Sequence, residues 1–296
     1  MYQDIVKELR EFMEISGKSQ QQIAKETALS SSVISQFLKG TYQGNNEEVA
    51  AAIYKYLKMA RQRMAGTDYT CFYADMHNTQ KVLFACYHAH CYGDMALVYG
   101  DAGAGKTRAL NYYAGEHPGV VMVTANSCTS SAFSILQMIG RKTGKTIAGK
   151  KEMLMASLVD YFKNTGRLII IDESDHLTMA ALQAVRNLND QTGVGIVLSG
   201  NSKIYTQMLQ GAKCSELEQL RTRIVLRRMV TNEYTLEEFR KMFPKIPENC
   251  HPYLIKLAAD ESLRSVNKLL ALAYSYTDMV NLETLQMVRA QLTEGL

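Results

Sequence analysis

Apolar residues recur at helical spacing along the N-terminal part of the chain: Ile5, Val6, Leu9, Phe12 and Met13, then Ile23, Ala24 and Thr27, then Val33, Ile34, Phe37 and Leu38, then Val49, Ile53 and Leu57. This pattern predicts a small helical bundle. The stretch from Gly66 to Tyr69, after the charged run from Lys55 to Arg63, places its boundary near Gly66. From about residue 95 the pattern changes to short aliphatic runs, at 96–99, 120–123, 168–171, 196–198 and 224–226. The intervening stretches are long enough for crossover helices, which predicts an α/β core with a five-stranded parallel sheet covered on both faces. After residue 229 helical periodicity returns. Thr235 to Glu238 reads as a capping box, and Leu263, Val266, Leu269, Leu270 and Ala273 form an apolar stripe. The predicted organisation is a helical domain at 1–66, an α/β core at 67–228 and a small helical domain at 229–296.

Length and composition narrow the classes. At roughly 100 to 200 residues per domain, 296 residues suit two or three domains, and 47% hydrophobic with 21% charged residues excludes disordered and fibrous chains. The longest uncharged run, Gly119 to Gly140, is crowded with Thr, Ser, Asn and Gln, so no membrane span is predicted. Asp4, Glu8, Glu11 and Glu14 occupy the place of a basic leader region, so the expectation is a cytoplasmic protein. Six cysteines without a CxxC pair suit a reducing compartment. Cys86, His88, His90 and Cys91 are all metal-ligating types, but on a helix 86 and 90 share one face while 88 and 91 share another, which predicts ordinary packing. The net charge of +4 is too small to announce a polyanionic partner, so the distribution of charge must decide.

Chemistry is concentrated after the first predicted strand. Gly100-Asp101-Ala102-Gly103-Ala104-Gly105-Lys106-Thr107 has the form GxxxxGKT and leads into a helix predicted to start near Arg108. Such a loop wraps phosphates with backbone N–H groups. Lys106 can reach the outer phosphates of a nucleotide, Thr107 can ligate Mg²⁺, and the helix N-terminus faces the negative charge. The third aliphatic run ends in Asp172-Glu173. There Asp172 would hold Mg²⁺ through its water shell and Glu173 would orient and activate the attacking water. Asn201 follows the fourth run at the carboxyl edge of the sheet, where ligands of α/β folds sit. Arg221 and Arg223 precede the fifth run, and Arg264 lies at the start of the apolar-striped helix.

In this order, phosphate loop, paired acids, polar residue after the next strand, arginine before the last strand and arginine on a C-terminal helix, the chain resembles the AAA+ ATPases over about residues 70–296. The resemblance implies ATP and Mg²⁺ as cofactors. It also implies that Asn201 acts as sensor 1, Arg223 or Arg221 as the arginine finger reaching a neighbouring subunit's nucleotide, and Arg264 as sensor 2.

Two segments suggest nucleic acid. Ser19 to Ser35 has helix-turn-helix spacing and resembles the phage-repressor type of DNA-binding domain, with Ala28 where the turn usually carries Gly. Ser31, Ser32, Ser35, Gln36 and Lys39 fall on the outer face of the second helix, with no arginine for bidentate guanine readout, so weak sequence specificity is expected. Arg141, Lys142, Lys145, Lys150 and Lys151 put five positive charges into eleven residues, a run ended by Glu152. Taken together, the architecture resembles the target-DNA-binding ATPases of transposing bacteriophages. This implies non-specific binding of double-stranded DNA, a homo-oligomeric filament or ring on it, a transposase as partner, and no membrane. A helicase loader and a nucleotide-switched DNA-binding regulator share most of these features and stay open.

Overall fold

The computed structural model describes residues 2–65, 72–145, 150–209, 218–277 and 279–293. The boundary expected near Gly66 and residues 146–149 within the basic stretch lie outside the described residues. Two units emerge, Thr70–Val266 and Met1–Tyr69 with Asn267–Leu296.

The N-terminal helices are α1 (Tyr2–Ser16), α2 (Gln20–Thr27), α3 (Ser31–Lys39) and α4 (Asn46–Ala65). Their shared core contains Leu9, Phe12, Ile23, Ile34, Phe37, Val49, Ile53 and Leu57, the positions picked out by helical periodicity. Two serines set the helix starts: Ser19 makes a reciprocal capping box with Gln22, and Ser30 accepts from the Val33 N–H. Between α2 and α3, Ala28 adopts the left-handed conformation, φ 56° and ψ 20°. The turn geometry thus persists without the usual glycine, at a steric cost of about 1–2 kcal/mol for an L-residue.

The second unit begins with α5 (His77–Tyr92), β1 (Met95–Gly100), α6 (Lys106–Glu116), β2 (Val120–Thr124), α7 (Ala132–Lys142), α8 (Lys151–Phe162) and β3 (Leu168–Asp172). It continues with α9 (Met179–Thr192), β4 (Gly195–Gly200), α10 (Ser202–Leu209), α11 (Glu218–Arg223), β5 (Ile224–Val230), α12 (Leu236–Met242) and α13 (His251–Asp260). The last helices of the chain are α14 (Leu263–Tyr276) and α15 (Leu282–Thr293). Among the described residues no helix is long and apolar enough to cross a membrane.

All five strands run parallel in the order β2-β3-β4-β1-β5. Alternation along the strands sorts the side chains into two cores. Leu97, Ile169, Ile171, Ile196 and Leu198 join Leu136, Leu158 and Val185 of α7, α8 and α9 on one face. Ala96, Val98, Leu168, Ile170 and Val197 join Ala85 and Leu110 of α5 and α6 on the other. This placement brings the carboxyl ends of β1, β3 and β4 side by side.

Two segment boundaries differ from expectation. The helix after the phosphate loop starts at Lys106 rather than near Arg108, because the Ala109 N–H already donates to the Gly105 carbonyl at 3.1 Å. Lys106 and Thr107 therefore belong to its first turn. β5 continues through Arg227 and Arg228 to Val230, two residues past the boundary at 228. It pairs only with β1 among the described residues, and an outer strand tolerates charges that a central one would not.

The Cys86–Cys91 segment lies in α5, where its four metal-ligating types diverge. Cys86 is fully buried, with its thiol pKa pushed up to about 12 by burial. His88 lies 3.8 Å from Asp94, His90 Nδ1 meets the Tyr113 hydroxyl at 3.1 Å, and Cys91 is exposed.

Candidate nucleotide site

The loop from Gly100 to Gly105 joins β1 to α6 at the carboxyl edge of the sheet. Two of its glycines are required by close approach. A Cβ on Gly100, whose φ is +133°, would lie 1.9 Å from the Val230 carbonyl oxygen, and one on Gly103, φ +76°, would lie 2.7 Å from Ser262 Cβ. The loop is also held from behind. The Asp101 N–H donates to the Val230 carbonyl at 3.0 Å, and the Asp101 carboxylate accepts from the Asn232 N–H at 3.0 Å. The buried Asn232 side chain then donates to the carbonyls of Ala102 at 3.1 Å and Glu261 at 3.3 Å. One asparagine thus joins the phosphate loop, the exit of β5 and the end of α13. Ala104 packs into the core, and Arg108 projects from α6 with its guanidinium 5.6 Å from the centre of the Phe72 ring.

Lys106 donates to the carbonyls of Gly100 at 2.9 Å and Asp101 at 2.7 Å. Burial holds its pKa below the usual lysine value, against the opposing pull of Asp172 and Glu173. An ammonium held on backbone carbonyls inside its own loop is positioned to exchange them for phosphate oxygens.

Asp172 ends β3 almost wholly buried, and three donors surround its carboxylate. Oδ2 accepts from the Thr107 hydroxyl at 2.6 Å, and Oδ1 from the Ser199 hydroxyl at 2.8 Å and the Glu173 N–H at 3.0 Å. A threonine hydroxyl and a carboxylate meeting across the loop are hard oxygen ligands of the type Mg²⁺ takes, so the residues present fit that ion. Glu173, next in the chain, is exposed and left-handed, φ 53° and ψ 36°. A left-handed backbone at a non-glycine residue is strained, and here the strain falls on the second of the paired acids.

Asn201 follows β4 directly, and its side-chain and backbone N–H groups both donate to Asp175. Ser174 Oγ donates to the Ser199 carbonyl at 2.8 Å, so the ends of β3 and β4 are tied by side chains as well as by the sheet. Glu173, Asp175 and His176 each bring one ligand-type atom to within 4.8 Å of the other two.

The structure does not bring every predicted residue to this edge through a contact. Arg264, exposed at the start of α14, comes close through its Cβ, 3.7 Å from where a Cβ on Gly103 would lie. Arg221 and Arg223 end α11, and Arg223 Nε pairs with Asp190 of α9 at 2.8 Å. Arg186 joins the same carboxylate at 3.6 Å. The basic residues lie elsewhere: Arg141 and Lys142 in the last turn of α7, Lys145 after it, and Lys150 and Lys151 at the start of α8, all exposed. On α3, Ser31, Ser32, Gln36 and Lys39 are exposed and Ser35 is half-buried.

Asp175, Ser199, Asn232 and Asp190 escaped the motif reading. Ser199 carried a detectable signal, a hydroxyl inside an otherwise apolar strand that must find a buried partner. Asn232 carried none, because its partners lie far away in the chain; Asp190 offered only an i,i+4 spacing to Arg186, which does not point to Arg223.

A parallel sheet in this order, with a phosphate loop after β1 and paired acids after β3, defines an AAA-type nucleotide-binding fold. An AAA domain family matches residues 91–208. The fold is similar to a chain in the structure of Drosophila ORC bound to DNA, with a TM-score of 0.53 at 12% identity. That likeness covers 78% of this chain and 65% of the other. The Mu-like prophage FluMu DNA transposition protein B of Haemophilus influenzae is 33% identical over 211 residues, 70% of this chain and 72% of that protein. The ATP-dependent target DNA activator B of Escherichia phage Mu is 29% identical over 225 residues, 76% of this chain and 72% of that protein. The chain belongs to the Mu-type DNA transposition protein B family of AAA-domain proteins.

Proposed function

We propose that this protein is an ATPase that binds double-stranded DNA with little sequence preference, assembles on it as a homo-oligomer, and delivers that DNA as a target to a transposase. The single observation that carries the reading is the nucleotide end of the sheet. There Lys106, Thr107, Asp172 and Asn201 are set by hydrogen bonds within one chain, with Glu173 next to Asp172, a group suited to binding and hydrolysing a nucleoside triphosphate. Its relatives' names supply the target DNA and the transposition setting.

In this reading Lys106 and the backbone N–H groups at the start of α6 take the phosphates. Thr107 and Asp172 would hold Mg²⁺, which neutralises charge on the phosphates. Glu173 accepts a proton from the attacking water, while the Asn201 amide orients that water against the γ-phosphate. Arg264 reaches the nucleotide from α14. Arg223, or Arg221 beside it, contacts the nucleotide of an adjacent subunit, so that hydrolysis requires assembly.

DNA contact is assigned to two surfaces. The exposed residues of α3 suit hydroxyl and amide contacts to phosphates, with Lys39 adding charge. Lys150 and Lys151 sit at the positive end of the α8 dipole, where cations are disfavoured, and such a local conflict is resolved when a polyanion lies against them. Each phosphate neutralised adds about −0.9 to the slope of log affinity against log salt.

The test is sedimentation and negative-stain imaging of the protein on a long random-sequence duplex with ATP, ADP or no nucleotide. ATP-dependent filaments or rings, absent in Lys106→Ala, are expected. Small complexes indifferent to nucleotide would reject the assembly reading.

A further inference from the structure

We propose that Asp175 is a positioning residue for hydrolysis, acting through Asn201. The inference deepens the ATPase reading and rests on it. Asp175 lies in the short 3-10 turn that follows Asp172 and Glu173, and its carboxylate holds Asn201 at two points. Oδ2 accepts from Asn201 Nδ2 at 2.8 Å, and Oδ1 accepts from the Asn201 backbone N–H at 3.3 Å.

The other side of the asparagine is held as well. Asn201 Oδ1 accepts from the Lys203 N–H at 2.8 Å, in the first turn of α10. A carboxylate can only accept and a backbone N–H can only donate, so these two partners fix which end of the amide is nitrogen and which is oxygen. One Nδ2 hydrogen is used on Asp175, and the second is left to point elsewhere. Without the acid, the amide would keep its contact at α10 but lose the partner that sets the plane and direction of its NH₂ group.

The surroundings are shaped for this grip. A Cβ on Gly200, the last residue of β4, would come within 2.7 Å of Asp175 Oδ1, so the carboxylate occupies the volume of the missing side chain. The neighbouring Ser174 is fully buried and donates to the Ser199 carbonyl, which fixes the turn carrying Asp175 against β4. The turn that presents Glu173 is therefore the turn that aims Asn201, and the proton acceptor and the water-orienting amide share one rigid support. In this proposal Asp175 acts through Asn201, whose amide and backbone N–H it holds.

The experiment is a double-mutant cycle on the full chain with Asp175→Ala, Asn201→Ala and the pair. Steady-state kcat and KM are measured with DNA present, together with the ratio of affinities for fluorescent ATP and ADP analogues. Asp175→Ala is expected to lower kcat about tenfold or more, in the range set by loss of an oriented donor, with KM within twofold of the parent. The double variant is expected to match Asn201→Ala within twofold. A double variant whose loss is the product of the two single losses, or an Asp175→Ala protein with the parent's kcat, overturns the proposal. Asp175→Asn, which keeps one acceptor oxygen, is expected to retain more kcat than the alanine variant, and it carries the same cycle if the alanine variant fails to fold. If the parent itself turns over no ATP, the ATPase reading fails. The proposal then falls with it, whereas a parent that hydrolyses ATP but gives an additive cycle, or an Asp175→Ala protein that loses affinity for both nucleotides with kcat unchanged, overturns the proposal alone.

Discussion

The nucleotide end of the sheet and the arginine-bearing α11 are built in opposite ways. Asp172 is buried and its polar partners satisfy it within the chain, with Thr107, Ser199 and the Glu173 N–H closing on one carboxylate. Arg223 is more than half exposed, 57%, and its Nε rests on Asp190. Exposed ion pairs of that kind contribute at most about 1 kcal/mol. A site completed within the chain can be rigid before anything binds, whereas a group that acts on a neighbour must stay on the surface and exchange its partner on assembly. On the proposed function, the difference separates what one subunit would do alone, grip a nucleotide, from what it would do only in an assembly.

The sharpest way to break this comparison is to remove the outward arginine. Arg223→Ala is expected to lower DNA-stimulated ATP turnover by about 10³-fold or more while leaving the affinity of the isolated subunit for a fluorescent ATP analogue within threefold. If Arg221→Ala shows that split and Arg223→Ala does not, the finger is Arg221. Glu173→Gln comes next, with turnover reduced about 10²- to 10⁴-fold and ATP-bound assemblies on DNA persisting in sedimentation. Parental turnover in that variant would remove Glu173 from its role.

A smaller effect tests how the inner region is held. Asn232→Ala takes two donors from the carbonyls of Ala102 and Glu261, and it should cost about 1–3 kcal/mol in urea unfolding and weaken nucleotide binding. Loss of stability without loss of nucleotide affinity would mean that the loop keeps its shape unaided. The smallest change lies in the helical bundle. Ala28→Gly relieves a left-handed alanine but loosens the unfolded chain, for a net gain of about 0.5–1 kcal/mol. A lower melting temperature in that variant would contradict the strain.

What could be read from the residues follows the same division. The five strands and the acids of the nucleotide site were legible because each is a local pattern: aliphatic runs ending in Asp172 and Asn201, and a glycine loop ending in Lys106 and Thr107. β5 was read short because Arg227 and Arg228 interrupt its apolar run, which only an outer position in the sheet makes acceptable. The helix start at Lys106 was missed by two residues because glycine at its N-cap gives no side-chain capping signal. Asp175, Asn232 and the Asp190 contact to Arg223 were silent because those partners are chosen by the folded topology. Of the two arginines before the fifth run, Arg223 was the first choice for the finger and Arg221 the second; in the structure Arg223 pairs with Asp190, a contact within its own chain.

The charged rungs of β5 also bear on how such a chain avoids clumping. Val225 and Met229 on that strand are exposed, and by themselves they would invite an extra strand from another molecule to add to the sheet. Arg227 stands between them, exposed, with its guanidinium folded back onto the Arg221 carbonyl at 3.2 Å. Like charges meeting across such an added strand would repel, which guards the margin against amyloid-type stacking. If the chain assembles on DNA as proposed, it has particular need of that protection, since the same crowding that favours the right contact would also favour the wrong one.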